Sequence, residues 1–304
     1  MHSVIDALER TISFENPPKR IISLVPSVTE SLVAMDCTRS LIAATVFCVR
    51  PKDETKSLPK IGGTKKLNLK LIAELRPDLV IANKEENQQE DVESLIKMGI
   101  QVYIGYPRTV KEATHELKNI ATLVGKPNSA TFIINEINSK ISEQETLNKI
   151  RSPIRIFCPI WKDPYMTVSG ETFAGDMLRI AGGINVFEQH PTNSHYPQVT
   201  LDEIRAAEPD VILLPDEPYR FRTKHRDDFL TIRDIPAAKS KQVFLIEGSL
   251  ITWHGPQIPN GLTQIGNLLD SIRSSQIFTS YDLPKNLQFH PKRREIVVPR
   301  KSDR

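Results

Sequence analysis

Two tryptophans, Trp161 and Trp253, are the only indoles in the chain, and both stand beside polar neighbours. Lys162, Asp163 and Tyr165 follow the first, and His254 follows the second. Flat rings next to polar groups suit the gripping of a large planar ligand better than the breaking of a bond. Arg50, Lys84, Arg108 and Arg220 add cations, and Tyr106 and Tyr219 add phenols. Cys48, His190, His195 and His254 are the available soft or imidazole donors. None shows CxxC or HxxxH spacing, so the three or four converging donors that a bare metal ion needs are not written in the chain. An axial bond to the metal of a bound macrocycle asks for one donor only. His254 beside Trp253 is the first candidate, with His195 and Cys48 behind it. The plainer alternative for each is a packed ring, a loop histidine or a buried thiol.

Enzymatic signatures are missing. No GxSxG, P-loop or HExxH occurs. The glycine pair in IGGTK is no dinucleotide fingerprint, and the stretch from Gly170 does not fit a phosphate-binding turn. The expectation is a binding protein without catalysis and without a prosthetic group.

The elements that would hold these residues are legible from an internal repeat. LKLIAELRPDLVI at residues 69–81 and LDEIRAAEPDVIL at 201–213 align at a constant offset of 201 − 69 = 132. Each reads as a short amphipathic helix, a Pro-Asp stop and a buried strand. Two copies at domain spacing predict two similar α/β lobes. In the first, Ile21–Val25, Ala43–Val46, Leu79–Ala82 and Val102–Ile104 read as strands. Ser27 with Glu30 reads as a capping box, and a helix within EDVESLIKMG closes at Gly99. In the second, Ile154–Pro159, Val211–Leu214 and Val243–Ile246 read as strands, with helices at Thr172–Ala181 and near Gly261–Ile272. Alternation of this kind predicts mainly parallel sheets flanked by helices. The segment from Asn128 to Ile150 has apolar residues near helical spacing, which predicts a stiff connecting helix of about 20 residues, roughly 30 Å long. The expected divisions are residues 18–108, 109–150, 151–272 and a basic tail at 273–304.

Ligands of open parallel sheets sit at the carboxyl ends of the strands. That rule nominates Pro26, Ser27, Thr29, Phe47, Cys48, Arg50, Asn83, Lys84, Glu85, Glu86, Asn87, Tyr106 and Arg108 from the first lobe. From the second it nominates Trp161, Asp163, Tyr165, Asp216, Glu217, Tyr219, Arg220, Trp253 and His254. Both sets are expected to face one cleft.

Charge adds little. A net charge of +3 does not point to nucleic acid. The final stretch, KNLQFHPKRREIVVPRKSDR, holds seven Lys or Arg against Glu295 and Asp303 and reads as a solvated tail. The N-terminus has no apolar core of a secretory signal, so a cytoplasmic location is expected as written, or a periplasmic one if a signal precedes it. Three widely spaced cysteines predict no disulfide framework. A monomer is expected.

SLVPSVTE, the run KIGGTKKLNLKLIAELRPDLVIANKEENQQEDVESLIKMGIQVY, TFAGDMLRIAGGINVFE and YPQVTLDEIRAAEPDVILL resemble the cobalamin and ferric-siderophore binding proteins of ABC importers, the helical-backbone metal receptors. The resemblance covers roughly residues 18–272. It implies two α/β lobes, one backbone helix and a cleft holding a corrinoid, a haem or a ferric siderophore. It also implies an ABC permease as partner, with Glu90 and Glu217 as analogues of docking glutamates at the lobe tips. The alternative is a cytoplasmic cofactor-handling protein or enzyme that reuses the fold.

Overall fold

The computed structural model describes residues 1–279, and the expected basic tail lies outside them apart from the end of the last helix. The chain divides into two compact units. The first takes Met1–Lys140 and Trp253–Asn260, and the second takes Ile141–Thr252 and the chain from Gly261.

In the first unit the chain runs β1 (His2–Ile5), β2 (Thr11–Phe14), β3 (Ile21–Ser23), α1 (Pro26–Ala34), β4 (Leu41–Ala44), α2 (Lys52–Thr55), β5 (Gly62–Gly63), β6 (Lys66–Leu67), α3 (Leu69–Glu74), β7 (Leu79–Asn83), α4 (Gln89–Lys97), β8 (Val102–Gly105) and α5 (Val110–Leu123). Its main sheet has the order β4-β3-β7-β8 with every neighbour parallel. All five residues of β7 are buried, as a central strand covered on both faces requires. The helix α6 (Pro127–Asn148) starts in this unit and ends in the next.

The second unit contains β9 (Ile154–Phe157), β10 (Pro159–Trp161), β11 (Met166–Thr167), α7 (Phe173–Ile180), β12 (Gly183–Asn185), α8 (Leu201–Ala206), β13 (Val211–Pro215), α9 (Thr223–Leu230), α10 (Pro236–Lys239), β14 (Val243–Ile246), α11 (Ser249–Thr252) and most of α12 (Ile258–Thr279). Its sheet, β12-β9-β13-β14, is again parallel throughout. The two sheets share one strand order: an edge strand, the first strand, the strand after the repeated helix, and the next.

The repeat is structural down to single atoms. Asn68 caps α3 and Thr200 caps α8, each through its side chain. At the end of each helix a non-glycine residue takes a left-handed conformation, Arg76 at φ 45° and Glu208 at φ 42°. These positions share the offset of the repeat, 208 − 76 = 132. The carbonyls left open there are taken by an arginine at the start of the parallel strand beside it, Arg20 just before β3 and Arg155 within β9. The Arg20 guanidinium donates to Leu75 O and Arg76 O, and that of Arg155 to Ala207 O and Glu208 O. The aspartate after the proline completes the joint. Asp78 accepts from Lys19 N and Arg20 N, and Asp210 from Arg155 N.

Several expectations are corrected. Helix α1 starts at Pro26 with Val25 as its cap, so Ser27 lies inside the first turn and makes no cap bond. Proline at the first helical position presets the helical φ and needs no donor there. Strand β4 ends at Ala44, which leaves Val46 and Phe47 in a loop. Strand β9 ends at Phe157, and a small antiparallel hairpin of β10 and β11 follows. The first unit also takes in the N-terminal hairpin, outside the expected 18–108. Ala7 N donates to Ile104 O (2.9 Å) and the Arg10 guanidinium to Val102 O (2.8 Å), so the hairpin covers the open edge of β8. Finally, Trp253–Asn260, expected in the C-terminal lobe at 151–272, belongs to the first unit.

Candidate functional site

The carboxyl ends of β3, β4, β7 and β8 carry the first unit's candidates, and they separate into an inner and an outer group. Thr29 and Cys48 are wholly buried. The Thr29 hydroxyl donates to Val25 O (3.1 Å), and the Cys48 thiol meets the Thr45 hydroxyl (3.1 Å). Burial pushes the Cys48 thiol above its ordinary range, with hydrogen bonds from Thr29 and Thr45 opposing. These two residues therefore shape the loop from inside and present no ligating surface here. Ser27 is buried as well. Asn83 is a positioning residue: its carbonyl oxygen accepts from Glu85 N (2.8 Å) and Glu86 N (3.1 Å), while Asn87 accepts from Asn83 N (2.9 Å). Exposed Glu85 and Glu86 are thereby held in a tight turn.

The outer group sets cations on aromatic faces beside the exposed Glu85 and Glu86. The Arg50 guanidinium lies over the Trp253 ring, 5.2 Å from its centroid. Trp253 is only 7% exposed, so the expected aromatic wall in this unit is covered. Lys84 Nζ lies 5.1 Å and the Arg108 guanidinium 5.8 Å from the Tyr106 ring. Burial first, then nearby Glu85, pushes the Tyr106 phenol up. Beside Arg50, burial raises the Glu30 carboxyl above its usual range, with the guanidinium pulling the other way. Phe47, at 56% exposed, projects with Val46 and Val49 from the loop after β4.

His254 is turned to α5. Its Nδ1 stands 3.6 Å from Glu116 Oε2, both side chains being largely buried. Glu116 fits because residue 105 lacks a side chain: a Cβ on Gly105 would lie 1.4 Å from Glu116 Oε1. Gly255, at φ +69°, packs against the Ser31 hydroxyl in the same way. These contacts seat the returning segment on α1 and α5. They also explain why Trp253 and His254 leave the C-terminal lobe to which their place in the sequence assigns them.

In the second unit the tryptophan is open. Trp161 ends β10 and is 45% exposed. Its ring meets Tyr219 edge-on at 5.5 Å. Tyr219 in turn packs on Phe221 (4.8 Å) and His225 (5.5 Å). Sequence reading missed His225, which is buried and fixed by a hydrogen bond from Arg222 N to Nδ1 (2.9 Å). Its Nε2 lies 3.4 Å from the Tyr219 hydroxyl. Desolvation, then Lys162, lowers its pKa. Tyr219 and Phe221 both turn toward it while Arg220 and Arg222 between and after them are exposed, a pattern that only the folded loop reveals. Tyr165 packs on Phe229 (5.4 Å) and serves the core. Asp216 accepts from Gly248 N (2.8 Å) and Glu217 from the Thr252 hydroxyl (3.1 Å), so both carboxylates have internal duties. His190 faces Glu203 (3.8 Å), and His195 meets Tyr196 edge-on (6.5 Å). Among the described residues no group of three or more His, Cys, Asp or Glu is placed to hold a metal ion.

Two parallel α/β sheets with one strand order, joined through a 22-residue helix, define a binding-protein architecture. The chain matches the periplasmic binding protein family over residues 21–250 and belongs to it. A vitamin B12-binding protein of Photorhabdus laumondii is 28% identical over 65% of this chain and 70% of its own length. One from Vibrio parahaemolyticus is 24% identical over 84% of this chain and 91% of its own. Among solved structures, the periplasmic haem-binding protein RhuT from Roseiflexus aligns with a TM-score of 0.73 at 21% identity, covering 84% of this chain and 99% of its own. The vitamin B12-binding protein BtuF of Vibrio cholerae aligns with a TM-score of 0.71 at 20% identity, over 84% and 98%. At these identities the structural likeness establishes the fold. The family is one of substrate-binding proteins, and its description as periplasmic favours the periplasmic alternative over the cytoplasmic location expected from the N-terminus.

Proposed function

We propose that this chain is the substrate-binding component of an ABC-type importer and holds a metal-containing macrocycle or chelate, a corrinoid, a haem or a ferric siderophore, without changing it. The observation that carries this reading is the open Trp161–Tyr219 pair at the carboxyl-end side of the second sheet. Two rings inclined at 67°, the tryptophan nearly half exposed, offer an apolar indole face to a planar ligand. Family membership and the names of the relatives support the ligand class. An extracytoplasmic location and an ABC permease partner belong to the same reading. Glu90 is exposed and suited to docking, whereas Glu217 is engaged by Thr252.

The test is a tryptophan-fluorescence titration with cyanocobalamin, haemin and ferric siderophores, with native mass spectrometry of freshly purified protein beside it. Saturable quenching by one member of the panel, lost in Trp161→Ala, is the expected result. No binding across the panel overturns the proposal.

A further inference from the structure

Tyr219, the ring that Trp161 meets edge-on, is backed by a histidine. The His225 ring packs on Tyr219 and on Phe221, each at 5.5 Å, and is buried. Its Nδ1 accepts from the backbone N–H of Arg222 (2.9 Å), and His225 N donates to Arg222 O (2.8 Å). This reciprocal pair starts α9 and ends the loop that carries Tyr219. A backbone N–H can only donate, so Nδ1 is bare and the neutral ring carries its proton on Nε2. That nitrogen lies 3.4 Å from the Tyr219 hydroxyl oxygen. Resting on the function proposed above, we infer that neutral His225 is the positioning residue of the ligand platform, and that its protonation in mildly acidic solution unseats Tyr219 and weakens ligand binding.

The imidazolium is incompatible with the seated loop. A second ring proton would sit on Nδ1 and point at the Arg222 N–H, setting two donors 2.9 Å apart with no acceptor between them. One partner has to shift. Helix α9 is fixed by Phe229, which packs on Phe157 and Tyr165 in the core. In the loop, Asp216, Pro218, Arg220 and Arg222 are exposed and Phe221 is the buried anchor. A local shift of the loop about Phe221, not unfolding, is therefore the response. The surroundings also favour the neutral ring. Lys162 faces it from the β10–β11 turn, Arg222 and the Tyr219 phenol from the loop, and Lys224 and Asp228 from α9 itself. Asp228 is paired with Lys162 (2.9 Å). Strand β14, packed on α9, is apolar, and α10 buries Ala237 and Ala238 while Lys239 is exposed. Burial first, then Lys162, holds the seated imidazole below its ordinary value of 6.5. A released imidazole takes up its proton at that ordinary value, so acid favours release only as pH falls below 6.5.

The experiment reads pH dependence in two ways. Affinities of the full chain for cyanocobalamin, haemin and ferrichrome are measured at pH 7.5 and 5.0. Trp161 emission, isolated by Trp253→Phe, is followed without ligand across the same range. His225→Gln keeps an acceptor at the third helical position, as a capping box does, and cannot be charged. It also meets the same ligand ionisation as the parent. Linkage to one proton allows up to about tenfold per pH unit, so the parent is expected to bind about fivefold or more weakly at pH 5.0. Its Trp161 emission is expected to change below pH 6.5. The glutamine variant is expected to bind like the parent at pH 7.5 and to show neither change. His225→Ala, with no acceptor, is expected to bind weakly at both pH values. Equal loss of affinity at pH 5.0 in parent and glutamine variant, or a parent that binds equally at both pH values, overturns the inference and leaves the binding-protein reading standing. Failure of all three probes to bind at pH 7.5 removes that reading, and this inference with it.

Discussion

Replacing Gly105 by alanine probes how the first unit holds Trp253–Asn260. The new Cβ would stand 1.4 Å from Glu116 Oε1 and 2.6 Å from its Cδ, so the carboxylate must swing away. It has little room, since Glu116 is only 7% exposed and faces His254 Nδ1 at 3.6 Å. Overpacking of this kind costs about 1–3 kcal/mol. Alanine returns roughly 0.5–1 kcal/mol because it loses less backbone freedom than glycine on folding. The net is a loss of about 1–2 kcal/mol. The two tryptophans make the measurement local. In a Trp161→Phe background, Trp253 alone reports, and it lies in the first unit. Urea unfolding followed by its fluorescence should show the loss as a lower midpoint at unchanged slope. Adding Glu116→Ala removes the obstacle, so the double variant should be more stable than the sum of the single effects by about 1 kcal/mol or more. A Gly105→Ala variant as stable as its parent, or strict additivity with Glu116→Ala, would refute the packing argument.

Glu30→Gln should raise the melting temperature at pH 7. The folded chain holds the Glu30 proton more tightly than the unfolded chain does, so its contribution is present at acid pH and lost as pH rises through the raised value. The gap between variant and parent should therefore close as pH falls toward the ordinary carboxylate value of 4.5, and a pH-independent gap would contradict the sign. Asp78→Ala and Asp210→Ala remove matching helix–strand joints and should each cost about 1–2 kcal/mol. The first should lower the Trp253-reported transition and the second the Trp161-reported one; a crossed pattern would argue against equivalent joints. Trp161→Ala should weaken ligand binding by about tenfold to a hundredfold, on the order of 1–3 kcal/mol, with a smaller effect on stability, because the ring is nearly half exposed. An unchanged affinity would move the platform elsewhere.

Much of the fold was legible because it rests on local rules. The offset of 132 marked two equivalent helix–strand joints, and the Val- and Ile-rich runs marked central strands. Strand ends and caps were less legible. Val25 precedes a proline that starts a helix without a side-chain cap, so Ser27 and Glu30 gave a false signal. In the candidate site, the sequence located the loops but could not say which side chains turn inward. Thr29 and Cys48 carry hydroxyl and thiol groups suited to a ligand, yet backbone and neighbouring hydroxyl partners draw them into the core.

By itself the sequence determined the α/β character, the doubling, the long helix and the absence of catalytic signatures, since each follows from periodicity, turn chemistry or motif spacing along the chain. Tertiary structure alone decided which unit owns Trp253 and His254. Their seat is built from Arg50, Glu116, Gly105 and Ser31, residues that lie far away in the chain and meet only in the fold. It also decided that an arginine covers Trp253 whereas Trp161 stays nearly half exposed. A ring in a loop looks the same in sequence whether an arginine covers it or water does, and only packing settles that.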